Sequence, residues 1–371
     1  AFAGKFNKGP LDEVVSISSE QELVATFGKP DSTNFEDFFS AANFLQYSNA
    51  LRVVRVQNSS VSNATESGSA FVIKNTTDYQ DNYASGQASV GLWAARTAGA
   101  FGNSLQISTC PSATAYEEVN KTTVADAAMA VGDTVVTVTS AAGITAGDIV
   151  NFGDEYEYRV VSVATNDLNI VRKDEPAYFG TSESSGLHQA PTNGAQVRRR
   201  WKYYDLFDKA PGTSPYAQAK SGVNDELHIV VIDEDGDITG TKGDVLEKFE
   251  AVSKASDAKT AQGSVNYYPD VIYKASNYIY WMDHNAGGSN WGSAAAGTTF
   301  TDVTSVSNVS LQAGSDGTAA TIGQRKTAYE KFQDGETVDV GLIIAGAGDA
   351  THIGNLITIA ENRKDAVVFA S

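Results

Sequence analysis

Residues 338–371 restrict the fold more than any other stretch. "VDVGLIIAG" at 338–346 is a near-continuous apolar run followed by a Gly-containing turn; a helical pattern over 352–362 carries Ile353, Leu356, Ile357 and Ile359, and "DAVVFAS" occupies 365–371. Strand, helix and strand in that order, with strands apolar on both faces, is the pattern of a buried parallel βαβ unit. Its crossover is expected to be right-handed. Two strands make no stable sheet alone, so the missing neighbours have to come from elsewhere in the chain.

The other end supplies them. Residues 18–28 read as a short helix with a Ser19/Glu22 capping box and a stop at Gly28-Lys29-Pro30. Residues 34–47 read as a stronger helix, with Asn34 as a candidate cap and Phe35, Phe38, Phe39, Ala42 and Leu45 near one face that has to be covered. "LRVVRV" at 51–56 reads as a strand. A further helix is expected at about 320–333 around Ala328, Tyr329 and Phe332. The two α/β pieces, 1–58 and 320–371, are therefore expected to combine into one discontinuous domain.

The middle differs in kind. Between 120 and 200 short β-rich runs alternate with turn signals, which predicts a small antiparallel β-barrel or sandwich inserted into the rest. Flanking it, "SLQISTC" at 104–110 and "ELHIVVIDEDGDI" at 226–238 read as strands of a mixed α/β domain built from 59–119 and 201–319. Ser/Thr/Gly/Asn-rich 58–69 and 285–318 read as loops or boundaries. The fold class expected is thus multidomain α+β and α/β: a discontinuous terminal domain, a mixed domain nested in it, and a β-domain nested in that.

At 371 residues, two or three packed units are expected, and 42% hydrophobic against 19% charged residues fits folded units rather than disorder. A formal charge of −18 excludes broad nucleic-acid binding, which needs clustered Lys and Arg, and favours solubility at high concentration. A single cysteine, Cys110, rules out an intramolecular disulfide and a Cys-rich zinc site, and suits a reducing cytoplasm. No run of eighteen apolar residues and no signal-peptide pattern is visible. Ala1 in place of Met reads as a boundary rather than a translation start.

Four motifs invite chemistry. "DEDGDITGTKGD" at 233–244 places Asp233, Asp235 and Asp237 like the first ligands of a calcium loop, but the sixth position is Ile238 and the twelfth is Asp244, so a hairpin turn centred on Asp235-Gly236 is expected instead. "IIAGAGDATHIGNL" at 343–356 lacks the third glycine of a dinucleotide loop, Thr351 standing there, and reads as a βα turn with Asp349 or Thr351 as helix cap. "RRRWKYYD" at 198–205 reads as a strand exit with Trp201 and Tyr204 packed and its arginines paired or solvated. His188, His228, His284 and His352 stand at no metal-ligand spacing, and Asp283-His284 beside Trp281 and Trp291 is the one cluster resembling an active-site pocket. No nucleophile and base pair up, so no catalytic, cofactor or metal residues are assigned and no enzyme is expected. Triplets such as Asn58-Ser59-Ser60 and Asn75-Thr76-Thr77 are taken as chance rather than glycosylation sites.

The opening stretch is informative in a different way. Gly4, Phe6, Gly9 and Pro10, then Phe27, Gly28 and Pro30, then Phe44, Leu45 and Tyr47, then Leu51, Val53, Val54 and Arg55 follow one pattern. It runs Gly-x-Phe-x-x-Gly-Pro, Phe-Gly-x-Pro, Phe-Leu-x-Tyr and Leu-x-Val-Val-Arg. This resembles the start of the contractile-phage tail sheath proteins of T4-like myoviruses, and "VDVGLIIAG" and "RKDAVVFAS" resemble paired strands of the same family domain. About 110 residues carry the resemblance well; 120–200 matches only in kind, as a variable inserted β-domain.

The resemblance implies a structural subunit that assembles helically around a tail tube in the virion and contracts to drive the tube through the host envelope for genome delivery. It implies synthesis in the host cytoplasm, and as partners other sheath subunits, the tube protein, and baseplate and tail terminator proteins. The family's N-terminal arm and C-terminal region have no counterpart in these residues, so the chain is expected to be mainly monomeric and unable to form contractile tubes. The alternative is a cell-surface or carbohydrate-binding β-rich module, which would be read from binding to 120–200. A hydrolase acting through Asp283 or His284 is the weaker rival.

Overall fold

The computed structural model describes residues 1–173 and 186–370. Part of the long β-rich stretch, 174–185, lies outside the described residues.

The two chain ends carry two small sheets that main-chain hydrogen bonds join. Phe2–Gly4 runs parallel to Leu51–Arg55, with Phe2 opposite Val53, and Val14–Ile17 lies antiparallel on the other side of Leu51–Arg55. Leu342–Ile344 pairs in parallel with Val367–Phe369. Ala1 joins the two sets: its nitrogen donates to Leu342 O at 2.6 Å, and Ile344 N donates to its carbonyl at 2.9 Å. Strand alternation sends Phe2, Leu51 and Val53 to one face and Ala1, Ala3, Val54 and Val56 to the other. Helices Glu20–Phe27 and Phe35–Leu45 cover the first face with Leu23, Phe27, Phe38, Ala41 and Ala42. Ile322–Tyr329 and Ala350–Arg363 cover the second with Ala328, Tyr329, Leu356 and Ile359.

Local signals behave with instructive exceptions. Ser19 caps its helix by accepting from Glu22 N, yet the Glu22 carboxylate reaches back to Ser18 N and Oγ rather than closing a box with Ser19. Asn34 occupies the cap position of the next helix without capping it; its Oδ1 accepts from Asp31 N instead. Phe35 and Phe39, expected on the covered face, are each 48% exposed, because the shorter Ala41 and Ala42 take the sheet contact beside Phe38. The reciprocal box occurs at Thr321 and Gln324, where the sequence announced only a helix. Asp349, not Thr351, caps Ala350–Arg363 by accepting from His352 N. Val367–Phe369 is half-buried rather than buried: Val368 meets the core, while Val367 and Phe369 point outward at the sheet's edge.

The middle of the chain carries a four-stranded antiparallel sheet in the order Asp244–Ser253, Glu226–Asp233, Leu105–Cys110, Ser307–Ser310. Every residue of Glu226–Asp233 is buried. Leu227, Ile229 and Val231 pack toward one core and Val230 and Ile232 toward another, so this strand is covered on both faces. Ser307–Ser310 corrects the reading of 285–318 as loop; an edge strand needs only one apolar residue facing inward, and Val309 is that residue.

Between Tyr116 and Trp201 stands a six-stranded antiparallel sheet in the order Glu117–Thr123, Gln196–Arg200, Ile149–Asn151, Tyr158–Ala164, Asp167–Arg172, Val135–Thr137. Its edge strands meet at an antiparallel bridge between Val124 and Val138. A separate core of Val, Ile and Leu with Phe152 and Tyr158 fills it.

Candidate functional site

The positions that tie these regions together hold buried arginines with several hydrogen-bond partners each. The alternation of Leu51–Arg55 turns Arg55 inward at the strand's end, where it is 1% exposed. Its Nε donates to Phe6 O at 2.8 Å, and Nη1 donates to Gly9 O at 2.8 Å and Ala98 O at 2.7 Å. One guanidinium thus binds two turns of the terminal region to a loop of the middle region. Burial pulls its pKa down to about 10, with nearby Asp316 opposing, so it stays cationic at neutral pH. Gly9 holds φ +91, and a Cβ there would stand 2.7 Å from Thr26 O. Around Arg55, Asn58 Nδ2 donates to Asp316 O at 3.2 Å, Ser62 Oγ donates to Ala313 O at 2.7 Å, and Val61–Ser62 pairs with Ser315–Asp316.

A second joint lies where the six-stranded sheet leaves the middle region. Arg199, 1% exposed, donates to Thr114 O and Ala115 O and pairs with Asp148 at 3.5 Å and Glu118 at 3.3 Å. Arg200 pairs with Glu117 at 3.0 Å and with Glu157, and Lys173 reaches Glu157 at 2.9 Å. Tyr204 Oη donates to Glu157 at 2.7 Å. Burial pushes the Glu157 carboxyl up, but hydrogen bonds from Tyr204 and Lys173 outweigh it and leave its pKa lowered. At Asp148 burial wins over Arg199 and the pKa is raised. Trp201 donates from Nε1 to Ser108 Oγ at 2.9 Å and stacks on Phe207. The strand-exit reading of "RRRWKYYD" holds.

The residues of the motifs weighed for chemistry make the following contacts. Asp233 is buried, accepting from Ser104 Oγ at 2.6 Å, Gly236 N at 3.1 Å, Ile238 N at 3.0 Å and Thr239 N at 2.7 Å. The strands pair only as far as Asp233 and Asp244, so a loop over 234–243, pinned by that carboxylate, replaces the turn expected at Asp235-Gly236. Asp235 instead faces Lys242 at 3.7 Å. Among the described residues no group of three or more His, Cys, Asp or Glu could hold a metal ion.

His284 is held by Tyr268 at 2.6 Å and Tyr267 at 3.3 Å, while Asp283 accepts from the His284 backbone rather than its ring. The two do not form an acid–base pair. His228 bridges Lys209 O at 2.8 Å and Ala251 N at 2.9 Å and stacks on Phe207; burial lowers its pKa. His188 stacks on Tyr156, His352 meets Ala345 O at 3.0 Å inside the βα turn, and Cys110 is buried with its thiol pushed up to about 12. A cavity of about 320 Å³ in the six-stranded region lies between Phe152, Asp154, Gln189 and Gln196. Phe152 is 3% exposed and offers no open ring face there.

Sequence reasoning missed the role of Arg55, since nothing local marks an arginine as a carbonyl clamp. It also missed the bidentate pair between Arg325 and Asp37, at 3.0 Å on both arms, which links helices 288 positions apart. Phe35, Phe39, Tyr47 at 89% exposure, Val367 and Phe369 face outward in the terminal region, and Val119, Val131, Val135, Val161, Val223, Val245 and Val265 are exposed elsewhere.

Residues 1–56 match the family model described as the domain III N-terminal region of tail sheath protein Gp18. Along all of its length the chain is 26% identical to the tail sheath protein of Salmonella phage ViI, of which it covers 56%. Over 55 residues, 15% of the chain and 8% of the relative, it is 51% identical to the tail sheath protein of Enterobacteria phage T4. A solved sheath tail protein from Desulfitobacterium hafniense aligns with 99% of the chain and 47% of its own length, at 10% identity and a TM-score of 0.38. The chain spans about half the length of the ViI relative. The motif residues from Gly4 to Arg55 that form the three-stranded sheet, its first helical cover and the Arg55 clamp lie within the matched 1–56 segment, and by these matches the chain is similar to phage tail sheath proteins.

Proposed function

We propose that this chain works as part of a contractile tail sheath subunit, assembled helically with other copies around a tail tube and repacking between two arrangements to drive the tube through the host envelope. The observation that carries this is the similarity to a tail sheath protein along the whole chain rather than over one motif. Its partners in that role are other sheath subunits, the tube protein, and baseplate and terminator proteins, and its place is the virion tail. The work comes from a difference in contacts between subunits in two packings, each region moving as a nearly rigid body. That role asks for stiff joints rather than catalytic groups, and the Arg55 clamp supports it.

The division we propose is 1–58 with 320–371 as the sheath core domain, 59–119 with 201–319 as an intermediate domain, and 120–200 as a peripheral insert. Support comes from their separate cores and from the Val124–Val138 bridge, which fits a closed small barrel for the insert. Gold-labelled antibodies against 120–200, applied to intact phage, test the reading. Decoration at regular intervals along the tail is expected; label confined to the head, the fibres or the unassembled protein would overturn it.

A further inference from the structure

Trp281, Tyr268 and His284 are joined by a chain of hydrogen bonds whose direction their own chemistry decides. An indole nitrogen can only donate, so Trp281 Nε1 gives its proton to Tyr268 Oη at 2.9 Å. The next bond, between Tyr268 Oη and His284 Nδ1 at 2.6 Å, is open to either direction by distance alone. Tyr268 is 2% exposed, and among the described residues Nδ1 is the one acceptor that meets its hydroxyl proton. Leaving a buried hydroxyl unbonded is costly, so the tyrosine donates and Nδ1 accepts. The ring proton of neutral His284 then sits on Nε2, which donates to Tyr267 Oη at 3.3 Å.

A second proton upsets this order. An imidazolium can only donate, so Nδ1–H would turn toward Tyr268 Oη, and the tyrosine proton would lose its acceptor inside the core. The charged groups nearby do not repair that loss. Asp283 favours the imidazolium, but its Oδ1 already accepts from the His284 backbone at 2.7 Å. Asp270, on the helix that begins at Tyr268, acts on Tyr267, and Lys254 stands 5.2 Å over the Trp291 ring. Burial outweighs Asp283 and holds the imidazole below its usual value.

The ring also seats a turn. A Cβ at Gly292 would stand 2.7 Å from His284 Nε2 and 3.3 Å from Tyr267 Oη, so the chain lies directly on the ring. Gly292 N donates to Lys254 O at 2.9 Å and Ser256 N donates to Ser293 O at 3.0 Å, which fastens 290–293 to 254–256 beside it. Trp291, 9% exposed, sets its edge against Tyr268 with ring centres 6.0 Å apart. His284 itself is half-buried, which leaves a path for a proton from solvent.

We propose that His284 is a pH-sensitive latch: when mild acid protonates Nδ1, the bond from Tyr268 is lost, the ring leaves its seat, and the 290–293 turn comes away from 254–256. The latch rests on this chain of bonds and stands or falls independently of the sheath reading.

Nitrogen-15 NMR of the imidazole rings and amide hydrogen exchange, both on the full chain, test it. At about pH 7.5 His284 is expected as the Nε2–H tautomer. Between about pH 7 and 5 the protection factors of the Gly292 and Ser256 amides should fall at least ten-fold, and those of the buried strand Glu226–Asp233 should fall far less. His284→Gln offers an acceptor to Tyr268 and a donor to Tyr267 without titrating, so it should keep the protection of both amides across that range. An Nδ1–H tautomer in the unaltered chain, protection that does not fall, an equal fall in Glu226–Asp233, or the same fall in His284→Gln would overturn the proposal.

Discussion

Both joints of this molecule hold a sealed arginine on main-chain carbonyls, Arg55 at one and Arg199 at the other, and they differ in the partly exposed ion pairs that surround the second. At the joint between the terminal and middle regions, Arg55 is sealed from water and bonds to main-chain carbonyls of Phe6, Gly9 and Ala98. At the joint of the six-stranded sheet, Arg200 and Lys173 are about a quarter exposed and bond to side-chain carboxylates. Carbonyl oxygens are fixed by the backbone, so the first clamp holds only one geometry. Carboxylates on rotatable side chains re-pair as their carriers move, and exposure lets salt screen them. The difference teaches that a stiff and a compliant connection are set by what an arginine bonds to and how dry it is, not by the count of arginines.

Arg55→Met tests the stiff joint most severely. It strips three carbonyls of their donor inside the protein, so a loss of about 3 kcal/mol is expected in denaturant unfolding. Arg55→Lys should recover less than half, because an ammonium lacks the planar fork. Asp37→Asn is expected to cost about 2 kcal/mol by leaving Arg325 without its counter-charge across the seam of the terminal region.

A smaller effect comes with pH. His228 is buried against Phe207 and burial lowers its pKa, so the unfolded chain binds its proton more readily. Stability attributable to it is present above the unfolded value of about 6.5 and falls as pH drops below that toward the folded value. His284 shifts the same way. A loss of about 1 kcal/mol between pH 7.5 and 5.5 is expected by chemical denaturation, and His228→Gln should flatten part of it.

For the compliant joint, Arg200→Gln should cost well under 1 kcal/mol, and 0.5 M salt should erase the difference from the unaltered chain. Replacing 122–198 with a short linker takes Asp148 from Arg199 and Glu157 from Arg200, and its readout is the cooperativity of melting rather than the size of the loss. Val197 sits opposite Thr122, and Arg199 opposite Glu118, so the cut ends are neighbours and the remainder should still melt cooperatively. Loss of cooperative melting would make the insert part of the core.

How far the sequence could be read follows from the range of each interaction. The Ser19 and Asp349 caps, the Leu51–Arg55 strand and the parallel pairing of 342–344 with 367–369 rest on contacts within a turn or on strand composition, which periodicity reports. The outward turn of Phe35, Phe39, Val367 and Phe369 was not legible, because apolarity names a residue that prefers burial and not the neighbour that provides it. Ser307–Ser310 hid behind Ser and Asn for the same reason: its strand character comes from the partner at 106–109. Histidine and aspartate patterns are legible in the sequence only as spacings; what each carboxylate or ring actually bonds, as at Asp233 and His284, is tertiary information.

In the proposed sheath role the Arg55 joint is rigid and force passes through it. Side-chain-resolution reconstructions of the tail before and after contraction test it most directly. Residues 1–58 and 59–119 are expected to superpose as one body between the two states, with Arg55 still bonded to Phe6, Gly9 and Ala98, while contacts between subunits change. A rotation of 59–119 against 1–58 that breaks those three hydrogen bonds would contradict it.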